Sequence, residues 1–157
     1  MKPTVYLEAT VVSYLTAWRS PQLVVAACQE ATRVWWDEHK THYDLFISEA
    51  VIEEASAGDQ DAVRRRLEIL AAISELGITD AARDLAKNLV ANVPLPTKAQ
   101  IDALHVAVAA VQGMDYLLTW NCSHIANAAF RHQIESICRL AGYEPPIICT
   151  PLELMEE

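Results

Sequence analysis

Four positions in this chain carry side chains whose type and placement allow chemistry on an anionic substrate: Glu8, Glu54 (with its neighbour Glu53), Asp102 and Asn121. Asp102 sits in the first turn of a predicted helix, IDALHVAVAAV, that is apolar nearly all round and therefore reads as buried. A carboxylate at the head of a buried helix is costly unless it is capped, paired or bound to a metal. Glu8 follows the β-rich run Thr4–Leu7 and precedes the helix-like VVSYLTAW, which Thr10 is expected to cap. Glu49, Glu53 and Glu54 fall within two turns of a helix opening at Ser48. Glu49 and Glu53, at i and i+4, share a face and repel mildly, and Glu49 reads as a partner for the helix dipole. Either Glu53 or Glu54 can turn to the sheet edge. Asn121 lies just past a strand over Tyr116–Thr119 and opens a polar loop with Ser123, His124 and Asn127.

Several carboxylates meeting at one point cannot all remain ionised without a cation. A site rich in oxygen donors and poor in nitrogen and sulfur suits Mg²⁺ or Mn²⁺. Such an ion polarises a phosphoryl oxygen and activates water for in-line attack. No Gly-rich phosphate loop, GxSxG elbow or dinucleotide fingerprint is present. The residues thus point to metal-assisted phosphodiester hydrolysis.

The elements that must position these groups alternate between strand and helix. Strands are expected over Thr4–Leu7, Tyr43–Ile47, Glu75–Ile78, Asp115–Thr119 and Ile147–Cys149. Helices are expected near VVSYLTAW and over Pro21–His39, from Ser48, over Asp61–Ile73, Asp80–Asn92, the Asp102 segment and Arg131–Gly142, with a short terminal helix from Thr150-Pro151. This alternation predicts an α/β domain whose parallel sheet is covered on both faces. Ligands of such sheets bind outside the carboxyl ends of the strands, and the four candidate positions share that edge. Gly113 marks the turn between the Asp102 helix and its strand. Val93–Pro96 reads as a rigid extended linker, with Thr97 capping the helix that follows. His105 reads as a hydrogen-bonded core histidine. Trp18, Trp35 and Trp36 are expected to pack against neighbouring elements or across a subunit contact. Arg64, Arg65 and Arg66, spread around one helix, read as a solvated face, with contact to a substrate strand or partner as the sharper alternative.

Length and composition bound the classes. The chain has 157 residues, 52% of them hydrophobic, which suits one domain over residues 1–157 with a single core. No apolar run approaches the roughly 18 residues a membrane helix needs, and MKPTVYLEAT lacks a signal-peptide layout. Cys28, Cys122, Cys138 and Cys149 are widely spaced, which fits buried thiols in a reducing cytoplasm. The net charge of −9 argues against tight non-specific nucleic-acid binding unless metal ions or a local arginine group reverse the sign.

Taken in order, VYLEATVVSYL, ISEAVIEEASAGD, and DALHVAVAA followed by DYLLTWNCSHIAN resemble the PIN domain, nearest to the small VapC-like proteins of bacterial toxin–antitoxin pairs. The resemblance spans nearly the whole chain. It implies a three-layer α/β/α fold with a mostly parallel central sheet, and a ribonuclease whose acidic residues bind Mg²⁺ or Mn²⁺. It also implies a homodimer and a cognate antitoxin whose tail fills the active-site groove. Carried over by position, Glu8 takes the place of the first family Asp. Glu54 takes that of the family Glu, in the S-x-x-V-x-x-E pattern from Ser48, with Glu53 as the fallback. Asp102 is the third carboxylate, and Asn121 stands where the fourth is often Asp. The resemblance thus implies Glu8, Glu54 and Asp102 as metal ligands, with Asn121 orienting water or phosphate and Thr119 helping to position its loop. Two departures stand out: Glu8 is one methylene longer than Asp, and Asn121 brings no charge. They make a non-catalytic module, binding a protein or nucleic acid without cutting, the rival reading. A phosphatase or receiver-like domain is disfavoured, because Glu8 stands where its aspartyl nucleophile would be.

Overall fold

The computed structural model describes residues 1–94 and 99–155. Among the described residues five short strands form one sheet: β1 (Thr4–Leu7), β2 (Asp44–Ser48), β3 (Ser74–Leu76), β4 (Tyr116–Leu118) and β5 (Ile147–Cys149). They lie in the order β3-β2-β1-β4-β5, and every pairing is parallel. β1 is central, with Val5 beside Leu45 on one side and Tyr116 on the other. Val5, Tyr6 and Leu7 are wholly buried, as expected of a strand covered on both faces. From β1 the chain first adds strands to one side and later to the other. The crevice of such a sheet therefore opens at the carboxyl ends of β1 and β4.

Helices connect the strands: α1 (Ala9–Thr16), α2 (Leu23–Val34), α3 (Glu49–Ala55), α4 (Gln60–Leu70), α5 (Asp80–Asn92), α6 (Gln100–Val111) and α7 (Ala128–Leu140). α1 packs with α2, α3 and α4, while α6 packs along α5 and touches α3. α6 is the most deeply set helix, with Ala103 and every residue from His105 to Ala110 buried. It ends at Gly113, whose φ of +73° is a conformation that costs glycine little. The Asp115 carboxylate then clamps the starts of β1 and β4, accepting from the Thr4 amide at 2.8 Å and its hydroxyl at 3.1 Å.

The structure departs from expectation at several boundaries. Glu8, not Thr10, caps α1. Pro21 precedes α2, which gives way at Trp35–His39 to a widened π turn. α7 begins earlier than Arg131, because the Asn127 side chain accepts from the Ala129 amide and starts it there. Residues 151–154 make a turn, not a helix. Of the predicted linker, Leu95 and Pro96 lie outside the described residues, as does the cap expected at Thr97. Trp35 is fully buried, and its indole donates to the Leu154 carbonyl at 3.0 Å. Trp18, by contrast, is 79% exposed and meets α4 through the Arg65 guanidinium, 5.0 Å from its ring centroid. The arginines of α4 bind carbonyls at helix ends: Arg65 donates to Thr16 and Arg66 to Ala57, both at 3.0 Å, which complements the negative end of a helix dipole. No helix among the described residues is long and apolar enough to cross a membrane.

Candidate functional site

Glu8 directly follows β1 with an extended backbone, so its side chain and that of Tyr6, two residues before it, leave on one face. The Glu8 amide donates to the Leu118 carbonyl at 3.0 Å, which joins the ends of β1 and β4. Its carboxylate folds back as the cap of α1, accepting from the Thr10 amide at 3.1 and 2.9 Å. Thr10 also accepts, through its hydroxyl, from the Trp120 amide at 2.9 Å. One residue thus links Glu8 to the loop after β4. Glu8 is only 2% exposed. Burial pushes its carboxyl up to about 7, and Glu54 adds to the rise, while His105 and the Thr10 amide pull against it. Glu8, Glu54 and His105 therefore lie within electrostatic reach of one another.

His105 is wholly buried. One ring nitrogen, Nδ1, is 2.7 Å from the Tyr6 hydroxyl, which lies 2.7 Å from the Ser48 hydroxyl. The other, Nε2, pairs with Glu54. With Glu54 ionised, Nε2–H is the donor and Nδ1 accepts from Tyr6. Glu54 is half-buried and pairs with His105, whereas Glu53 is exposed, so Glu54 is the one of the two that turns inward. The hydroxyl of Ser48 serves Tyr6 and makes no cap bond to α3.

Asp102 is buried and takes a different partner. Its Oδ2 lies 2.9 Å from His124 Nδ1; where the ionised carboxylate accepts from Nδ1–H of the neutral ring, the lone pair sits on Nε2. Asn121 Oδ1 accepts from the His124 amide at 3.2 Å and the Ser123 hydroxyl at 3.3 Å. The buried Thr119 hydroxyl accepts from the Asn121 amide at 2.9 Å. The four predicted positions thus separate into two polar clusters. Glu8 and Glu54 gather around His105, while Asp102 and Asn121 gather around His124. The two histidines were the harder residues to assign from sequence. The signals for them are the i, i+3 spacing of Asp102 and His105 on α6, and the polar run that carries His124.

Among the described residues, no group of three or more His, Cys, Asp and Glu side chains is arranged to hold a metal ion. The set does not form a closed three-carboxylate cage. Glu8 and Glu54, which interact electrostatically, suit a cation that keeps several waters and takes its other ligands from phosphate, as Mg²⁺ commonly does. The hollow beside Asp102 and His124 is small, about 10 Å³. A hollow of about 390 Å³ lies at the opposite ends of β2 and β3, lined by Trp36, Lys40, Phe46 and Ile73 among others.

No protein family's sequence profile matches the chain, and no curated protein matches it in sequence. Solved structures do. The chain is similar to Mycobacterium tuberculosis VapC20, described as a toxin that cleaves the sarcin–ricin loop. The TM-score is 0.56 at 14% identity, over 73% of this chain and 87% of that one. It is also similar to a chain in the crystal structure of Rickettsia felis VapBC2 bound to a DNA fragment from its promoter. Here the TM-score is 0.55 at 12% identity, over 94% of this chain and 98% of that one. The chain has the PIN-like α/β fold of these proteins.

Proposed function

We propose that this protein is a ribonuclease of the VapC kind, which hydrolyses RNA phosphodiester bonds with Mg²⁺ or Mn²⁺. The observation that carries the reading is the Glu8–Glu54 pair. One carboxylate is buried and the other half-exposed at the carboxyl edge of a sheet with the fold of VapC toxins, and burial and then Glu54 raise the proton affinity of Glu8. A site of this kind favours a cation.

In this reading Glu8 and Glu54 hold the ion, with Asp102 the third carboxylate of the set. The ion supplies charge stabilisation at phosphorus and a more acidic water. His105 fixes Glu54 through one ring nitrogen while Tyr6 fixes His105 through the other. Asp102 holds His124 with Nε2 free to accept a proton. Asn121 and Thr119 set the course of the loop beneath it. The open edge suits a polymer. Its partners are a second copy of the chain and an antitoxin protein that covers the groove, and its compartment is the cytoplasm.

One set of contacts favours a second reading, a module that binds a protein or nucleic acid without cutting. Every member of the set already has a partner within the chain: the Thr10 amide for Glu8, His105 for Glu54, and His124 for both Asp102 and Asn121.

Titration of Mn²⁺ and Mg²⁺ into the wild type, Glu8→Gln and Asp102→Ala, with cleavage of a mixed RNA pool in the same samples, separates the two. The nuclease reading expects micromolar-to-millimolar metal binding and metal-dependent cutting. It expects the cutting to fall at least about 100-fold in each variant. A folded wild type that binds neither ion and leaves RNA intact supports the binding module.

A further inference from the structure

The four cysteines divide into two environments. Cys138 and Cys149 are buried, and burial pushes their thiols up to about 11 and about 12, so both are inert near neutral pH. Cys122 is exposed in the loop after β4, and Cys28 is half-exposed on α2.

The loop is fastened to α2 beside these two residues. The Trp120 indole donates to the Thr32 hydroxyl at 2.8 Å, and that hydroxyl donates to the Cys28 carbonyl at 2.7 Å. Cys28 is one helical turn before Thr32, so both share a face of α2. Trp120 also stacks on Tyr14, with ring centroids 6.0 Å apart. The Cys122 amide donates back to the Trp120 carbonyl at 2.9 Å, a tight turn that keeps Cys122 close to the fastened Trp120. Electrostatics agree with this placement. Burial and then Cys122 raise the Cys28 thiol, and after burial both cysteines raise the Tyr14 hydroxyl.

We propose that Cys28 and Cys122 form a reversible disulfide that ties the loop after β4, with Asn121 and His124 on it, to α2. The oxidant is a small-molecule disulfide of the glutathione type. The exposed Cys122 loses its proton and attacks one sulfur of that disulfide, which releases one small thiol and leaves a mixed disulfide. Cys28 then loses its proton and attacks the Cys122 sulfur, releasing the second small thiol. Two protein thiols are oxidised and one small disulfide is reduced to two thiols. In a reducing compartment the bond is transient and responds to redox state. The proposal is independent of whether the protein cuts RNA.

The test uses the full chain, reduced and then incubated with oxidised glutathione, quenched with a thiol-blocking reagent and digested with trypsin without reductant. The expected product joins the peptide Ser20–Arg33 to the peptide 99–131. It should disappear on reduction and be missing from both Cys28→Ser and Cys122→Ser. Amide exchange over residues 120–127 should slow several-fold in the oxidised wild type and recover on reduction. Glutathione held separately on the two cysteines, a Cys122–Cys122 link between two copies, or no oxidation at either residue each overturns the proposal. Unchanged exchange in the cross-linked protein overturns the claim that the bond holds the loop.

Discussion

Glu8 caps a helix, follows the central strand and is buried at the sheet's carboxyl edge. Its proton affinity records the conflict among these demands. Its folded value of about 7 lies above the ordinary 4.5, so the native state binds more protons than the unfolded chain between those values. The stabilising contribution is complete below about pH 4.5 and is lost as pH rises through about 7. A shift of that size corresponds to at most about 3 kcal/mol. In Glu8→Gln the amide oxygen can still accept from Thr10, and the fall in stability between pH 5 and pH 8 should flatten. Denaturant midpoints across that range measure it, and an unchanged slope would place the titrating group elsewhere. His105 is tested in the same way. Replacing it with Ala strips partners from the Tyr6 hydroxyl and Glu54 and opens a cavity, which should cost about 2–4 kcal/mol.

At the scale of elements, α6 sets the tolerances of the site. Its buried run of Ala103, Ala107, Ala109 and Ala110 leaves little room for added atoms, and Asp102 and His105 ride on the same helix. Ala109→Leu should therefore overpack the interior and cost about 1–3 kcal/mol in urea unfolding. It should also loosen the Asp102–His124 contact, visible as a changed His124 ring signal in NMR. A neutral Ala109→Leu would mean that the neighbours of α6 yield. The loop after β4 is the complementary element. It is held through Thr10, Thr32 and Thr119, so its geometry is inherited from α1, α2 and β4.

For the whole molecule, the proposed ribonuclease reading requires an acidic chain of net charge −9 to approach a polyanion. The three arginines of α4 offer no free basic stripe, because Arg64 and Arg65 pair with Asp61 and Arg65 and Arg66 hold carbonyls at helix ends. Binding of single-stranded RNA should therefore depend weakly on monovalent salt, with a log–log slope of magnitude below about 2. At constant ionic strength it should strengthen when Mg²⁺ or Mn²⁺ is added. Fluorescence anisotropy of a labelled RNA measures both. A slope as steep as that of a basic-groove binder, about 6 or more, would contradict this account.

The sequence by itself determined the strand–helix alternation, the parallel sheet and the shared edge of the candidate residues. These depend on local periodicity and on the rule that connects parallel strands. It also identified α6 as buried, because an all-round apolar helix has no solvent face to offer. Capping by Glu8, the early start of α7 and the exposure of Trp18 were not legible in it. Each depends on which of several acceptable local partners the packed chain supplies. Tertiary structure alone decided that Glu54 rather than Glu53 turns inward and that Glu54 and Asp102 take different histidines. Side chains from distant segments compete for the same few polar atoms in a dry corner. The outcome of that competition is set by distances that spacing along a chain does not encode.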